Sequence, residues 1–147
     1  MRRFLSALLI FCLTVCFAWS GHAELREFTD FSVDLPPGWD VQREGITVAF
    51  IAKDKSATMV VTVESTVGTF SEGMSAEELA EAYAEELKGS KPVQEDPNYY
   101  SFTFKSPTGV DSEASIVVVG KRFYLITISG KNKDLAGMVE SVLLSIM

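Results

Sequence analysis

The stretch Phe31-Ser32-Val33-Asp34-Leu35-Pro36-Pro37-Gly38-Trp39 fixes how this chain can turn its first corner. Phe31, Val33 and Leu35 alternate with Ser32 and Asp34, and a period of two places the apolar residues on one face of a strand. The strand must stop at Pro36-Pro37, because neither ring carries an N–H and each restricts the residue before it. Gly38 supplies a backbone angle that other residues resist, which predicts a tight turn. The turn delivers Trp39, after which Asp40, Val41 and Gln42 restart the alternation. So large an apolar surface makes Trp39 an expected core anchor; a platform on which a ligand stacks is the alternative.

Ahead of this corner, Met1-Arg2-Arg3 is followed by Phe4 to Trp19, an apolar run broken only by Ser6 and Thr14, and then by Ser20-Gly21-His22-Ala23. A basic start, an apolar middle and small residues at Gly21 and Ala23 are the three parts of a secretory signal peptide, with cleavage predicted between Ala23 and Glu24. The run is shorter than the roughly 20 residues a spanning helix needs, so no stable membrane anchor is expected after cleavage. Val15 precedes Cys16 and Phe11 precedes Cys12, so neither cysteine follows the small residue that lipidation requires. The expected organisation is a leader, 1–23, and one periplasmic or secreted domain, 24–147.

That division decides the chemistry. Cys12, Cys16 and His22, the chain's only thiols and imidazole, all lie in the leader. The processed chain then lacks the groups for disulfides, thiol nucleophiles, Ser–His dyads and zinc sites of the usual N/S kind. Gly68 and Gly73 are too few and too far from a strand–helix phosphate motif to suggest a nucleotide, and no cofactor is expected. Losing Arg2 and Arg3 leaves 11 basic residues against 20 acids, a formal charge of −9. Such a surface repels phosphate backbones, which makes nucleic acid a poor partner. A chain of this length buries roughly two-thirds of its unfolded surface and needs no disulfide to stand.

Five further segments alternate like strands. Ile46, Val48, Phe50 and Ala52 share one face, as do Met59, Val61 and Val63, and Lys53-Asp54-Lys55-Ser56 between them predicts a hairpin turn. Tyr100, Phe102 and Phe104 point one way, Tyr99, Ser101, Thr103 and Lys105 the other. Residues 116–119 and 123–128 are apolar on both faces and should be central strands, joined through Gly120-Lys121 in a type II′ turn. Ser75-Ala76-Glu77-Glu78 is a capping box, opening a helix that carries Leu79, Tyr83 and Leu87 inward and ends at Lys88-Gly89. Its outer face, Glu77, Glu78, Glu81, Glu85 and Glu86, reads as solvated. A second helix, about 134–146, has Leu135, Met138, Val139, Val142 and Ile146 on a broad stripe that should lie flat on the sheet.

This order of elements, with Phe31, Val33, Leu35, Pro36, Gly38 and Trp39 at the front and Phe123 to Gly130 plus Leu135 to Leu144 at the back, resembles the PsbP-like superfamily. That group includes an extrinsic photosystem II subunit, a nuclear-import accessory that binds the GTPase Ran, and many small bacterial proteins. The resemblance implies an α+β fold, an antiparallel sheet of about six to seven strands packed with two main helices as an α/β/α sandwich. By analogy it implies an accessory role in binding other proteins, and it carries over no functional residue.

Three functions follow as expectations. The first is an exported, non-catalytic accessory or chaperone-like module gripping a protein or peptide through a sheet face or strand edge, with Tyr99 as the candidate contact. The second is a carrier whose cavity is lined by Trp39, Phe50, Phe102 and Phe104. The third, a hydrolase using a carboxylate pair, needs two acids facing a cleft. Asp96, Asp111 and Glu113 are oxygen donors for a Ca²⁺-like cation only if the fold gathers them, since no loop has calcium-motif spacing. Lys121-Arg122 is a basic spot at a hairpin tip.

Overall fold

The computed structural model describes residues 22–69 and 71–147; the predicted leader, apart from His22 and Ala23, lies outside them. Among the described residues, nine strands and two helices follow in the order β1 (Glu24–Glu27), β2 (Ser32–Leu35), β3 (Trp39–Glu44), β4 (Thr47–Ala52), β5 (Ala57–Ser65), α1 (Ala76–Glu86), β6 (Val93–Asp96), β7 (Tyr99–Lys105), β8 (Asp111–Val119), β9 (Arg122–Gly130) and α2 (Leu135–Ile146). Strands β3 to β9 form one sheet in the order β3-β4-β5-β9-β8-β7-β6, antiparallel throughout. The expected central strands, β8 and β9, do lie inside it. Gly120 has φ +60° while Lys121 stays at negative φ, as a type II′ hairpin requires.

The corner strand has a different destination from its neighbours. β2 does not join the large sheet; it pairs with β1 and lies along α2. The backbone N–H groups of Ser32 and Asp34 donate to the hydroxyls of Ser145 and Ser141, each at 3.0 Å. Two residues of strand advance about 6.8 Å and four of helix about 6 Å, so the spacings match. The helix thus covers an edge that would otherwise present unpaired donors.

Two cores result, one on each face of the sheet. On the first, β2, α2 and Trp39 cover Phe50, Met59, Val61, Tyr124 and Ile126. On the second, Leu79, Ala80 and Ala84 of α1 cover Phe102, Ala114, Ile116 and Phe123. The helices are offset: α1 lies over β7 and β8, whereas α2 and β2 lie toward the β3–β5 end. Among the described residues, each face therefore keeps one half without a covering helix.

Helix α1 begins as its sequence dictates. The Glu78 N–H donates to Ser75 Oγ at 3.2 Å and the Ser75 N–H donates to Glu78 Oε2 at 2.7 Å. The helix ends at Lys88-Gly89, as expected. The left-handed residue is Lys88, φ +54°, and the N–H groups of Lys88 and Gly89 donate to the carbonyls of Glu85 and Ala84 at 3.2 and 2.7 Å, a Schellman arrangement. Gly89 is small for another reason: a Cβ there would sit 2.7 Å from the Phe102 ring and 2.8 Å from the Thr103 carbonyl oxygen. Lys88→Gly is accordingly expected to stabilise the fold by about 0.5–1 kcal/mol, whereas Gly89→Ala should destabilise it by roughly 1–3 kcal/mol. Paired urea melts, scored on the signs of the two shifts, check both.

Candidate functional site

A groove of about 350 Å³ opens where the C-terminal end of α2 meets the uncovered half of the sheet. Three parts of the chain build it. The β6–β7 turn contributes Asp96 and Asn98, the starts and ends of β7 and β8 contribute Tyr99, Val117 and Val119, and Met147 closes it from beyond α2. Val117 is buried floor, while Val119 and Met147 are 38% and 66% exposed. Tyr99 sits at the base, half-buried, with its hydroxyl 3.3 Å from Ser115 Oγ. The alternation of β7 sets this: Tyr100 goes to the α1 core and Tyr99 must go to the α2 side, where among the described residues it is only half covered.

Of the other candidates, only Asp96 lies at this groove. Asp111 lies at the far end of β8, opposite Lys105, with which it forms an ion pair; Glu113 is two residues further along, and Asp96 is across the sheet beside Tyr99. The three do not converge, and among the described residues no group of three or more His, Cys, Asp or Glu side chains is placed to hold a metal ion. Hydrogen bonding to Lys105, reinforced by its charge, holds the Asp111 carboxyl below the usual aspartate range. A lowered pKa contributes stability above the ordinary aspartate value that is lost as pH falls through the lowered one, and full exposure keeps that contribution small. Lys105→Met should return the Asp111 titration to its ordinary range, as read by carboxyl-carbon NMR across an acid titration.

Arg122 is occupied as well. It pairs with Asp30, whose backbone carbonyl accepts from the Tyr124 hydroxyl at 2.9 Å, so this basic spot ties the corner loop to β9. The carboxylates of α1 are exposed on the other side of the sheet. Tyr100 beneath them has its phenol pushed up by desolvation and then by Glu77 and Glu81.

The four aromatics of the carrier expectation fall on opposite faces. Trp39 and Phe50 belong to the α2 core, Phe102 and Phe104 to the α1 core, and no single cavity can be lined by all four. Asp34 and Asp134 do share a shallow hollow of about 270 Å³. There the Asp134 carboxylate already accepts from Trp39 Nε1 at 3.2 Å.

An antiparallel sheet between two offset helices, with a strand pair strapped along one of them, is an α+β fold of the PsbP-like kind. The solution structure of cyanobacterial PsbP, CyanoP from Synechocystis, superposes with a TM-score of 0.55 at 14% identity, over 85% of this chain and 91% of that one. A protein of Bacteroides thetaiotaomicron gives a TM-score of 0.49 at 16% identity, over 85% of this chain and 47% of its own. At 14% identity the likeness to CyanoP is one of fold. No protein-family model and no curated protein matches the chain.

Proposed function

We propose that the processed chain is an exported, non-catalytic accessory or chaperone-like module that binds a protein or peptide at the groove between α2 and the open half of the sheet. The observation that carries this reading is the convergence of Tyr99, Val119 and Met147, apolar surface open to solvent around one hollow. Hydrophobic and aromatic groups presented together in a concavity are what a docking side chain needs. The sheet edges are less suited to strand addition. β3 carries Asp40, Arg43 and Glu44, and β6 carries Glu95 and Asp96, charges that discourage edge pairing.

Export and lack of catalysis are supported by two facts. β1, the first strand among the described residues, begins at Glu24, directly after the expected cleavage point. Cleavage there removes every thiol and imidazole. No helix among the described residues is long and apolar enough to cross a membrane. Photo-crosslinking in periplasm tests the reading: a photoreactive side chain at Val119 or Met147 should capture a defined polypeptide that the same group at Glu85, across the sheet, does not. Equal capture from all three positions, or turnover of a substrate by the processed chain, would overturn it.

A further inference from the structure

We propose that the segment bound in this groove is cationic: a Lys or Arg side chain of the partner polypeptide, flanked by aliphatic residues. The inference rests on the docking reading above and adds the chemistry of the occupant. Among the described residues that line the groove, Asp96 carries the only charge, and it stands at the rim beside Tyr99. The surroundings have the same sign. Glu140 is exposed and precedes Met147 by seven residues, two turns of helix, which puts it on the same outer side of α2 as Met147. Glu113 is exposed four residues before Val117, and strand alternation puts it on the same face. Lys121, at the exposed hairpin tip next to Gly120, is the cation that adjoins the lining; Lys105 stands at the far end of β7, paired with Asp111.

A lysine or arginine stem fits such a place physically. Its methylenes lie along Val117, Val119 and Met147 while the head stays in water among carboxylates, and the face of Tyr99 attracts a cation. An anionic segment would meet carboxylates on the rim, the helix flank and the sheet. A wholly aliphatic one would leave those charges without counterpart. Complementary charge of this kind chiefly sets partner choice and encounter rate, which makes the interaction salt-dependent.

The test uses ¹⁵N-labelled purified protein titrated with two synthetic peptides, acetyl-Gly-Leu-Lys-Leu-Gly-amide and its glutamine counterpart. The lysine peptide should give saturable amide shifts at Asp96 to Tyr99, Val117 to Gly120 and Met147, and bind about ten-fold more tightly than the glutamine peptide at low salt, with the preference shrinking at high salt. Asp96→Lys together with Glu140→Lys, both at exposed positions, should abolish the preference without altering the rest of the spectrum. Shifts spread along the Glu77 to Glu86 face of α1 would mean undirected charge attraction and overturn the proposal, as would no groove shifts with the lysine peptide. Equal affinities with both peptides seated in the groove would overturn the cationic occupant and leave the docking reading standing. If crosslinking from Val119 and Met147 also fails, the docking reading falls too.

Discussion

Gly130→Ala is expected to destabilise the protein by about 2–5 kcal/mol, from backbone strain and steric overlap acting together. Gly130 ends β9 opposite Ala57, at the neck of the β4–β5 hairpin, with φ +83°. A Cβ there would stand 2.1 Å from the Ser56 carbonyl oxygen and 3.1 Å from the Ala57 Cα. Both are backbone atoms, so no rotamer change relieves the overlap, and either β9 or the hairpin must move. The left-handed conformation alone accounts for roughly 1–2 kcal/mol with an L side chain; pushing a packed neighbour aside adds about 1–3 kcal/mol or more. Gly38 separates the two contributions. It has nearly the same angle, φ +86°, but a Cβ there meets nothing within 4 Å. Gly38→Ala should therefore lose only the conformational part, about 1–2 kcal/mol. Guanidinium melts of the two variants should differ by at least about 1 kcal/mol; coincident curves would show that the approach of Ser56 to Gly130 places no demand on that position.

Gly130 also shows what sequence reading reaches and what it does not. Alternation found β4, β5, β7, β8 and β9, and the capping box placed the start of α1, because in each the pattern along the chain is itself the cause of the structure. β1 and β6 escaped it: Glu24-Leu25-Arg26-Glu27 and Val93-Gln94-Glu95-Asp96 are exposed along their whole length, so burial imposes no alternation on them. β2 was legible as a strand, but its place was not. Its docking on α2 depends on Ser141 and Ser145, more than a hundred residues away, whose spacing means something only once strand and helix are side by side. The constraint on Gly89 was hidden for a similar reason, since the ring that keeps it small comes from β7. The groove is the extreme case. Alternation put Tyr99 on the face away from Tyr100, but Val119 and Met147 reach it from separate segments, and neither has a local signature of partnership.

Trp39 joins the sequence reading to the structure most directly, and Trp39→Ala should destabilise by about 3–5 kcal/mol. The indole is 7% exposed, opposite Ala52 in the register and packed into the core that α2 covers. Its Nε1–H donates to Asp134 Oδ2 at 3.2 Å. Asp134 sits at the N-cap of α2, yet its side chain makes no capping hydrogen bond and serves the indole instead. Packing and polar contributions can therefore be separated. Trp39→Phe keeps an aromatic ring in the site and loses the donor, which should cost about 1–2 kcal/mol. Asp134→Ala should cost about 1 kcal/mol, and the double variant less than the sum, with a coupling of roughly 0.5–1.5 kcal/mol. Circular dichroism in denaturant is the measurement, because the processed chain has no other tryptophan to report on unfolding. Strict additivity would detach Asp134 from the indole. A loss below about 1 kcal/mol for Trp39→Ala would go further, being the size of an ordinary surface substitution: the corner formed by Pro36, Pro37 and Gly38 would then no longer be held from its far side, and Trp39 would become a surface on which a ligand can stack.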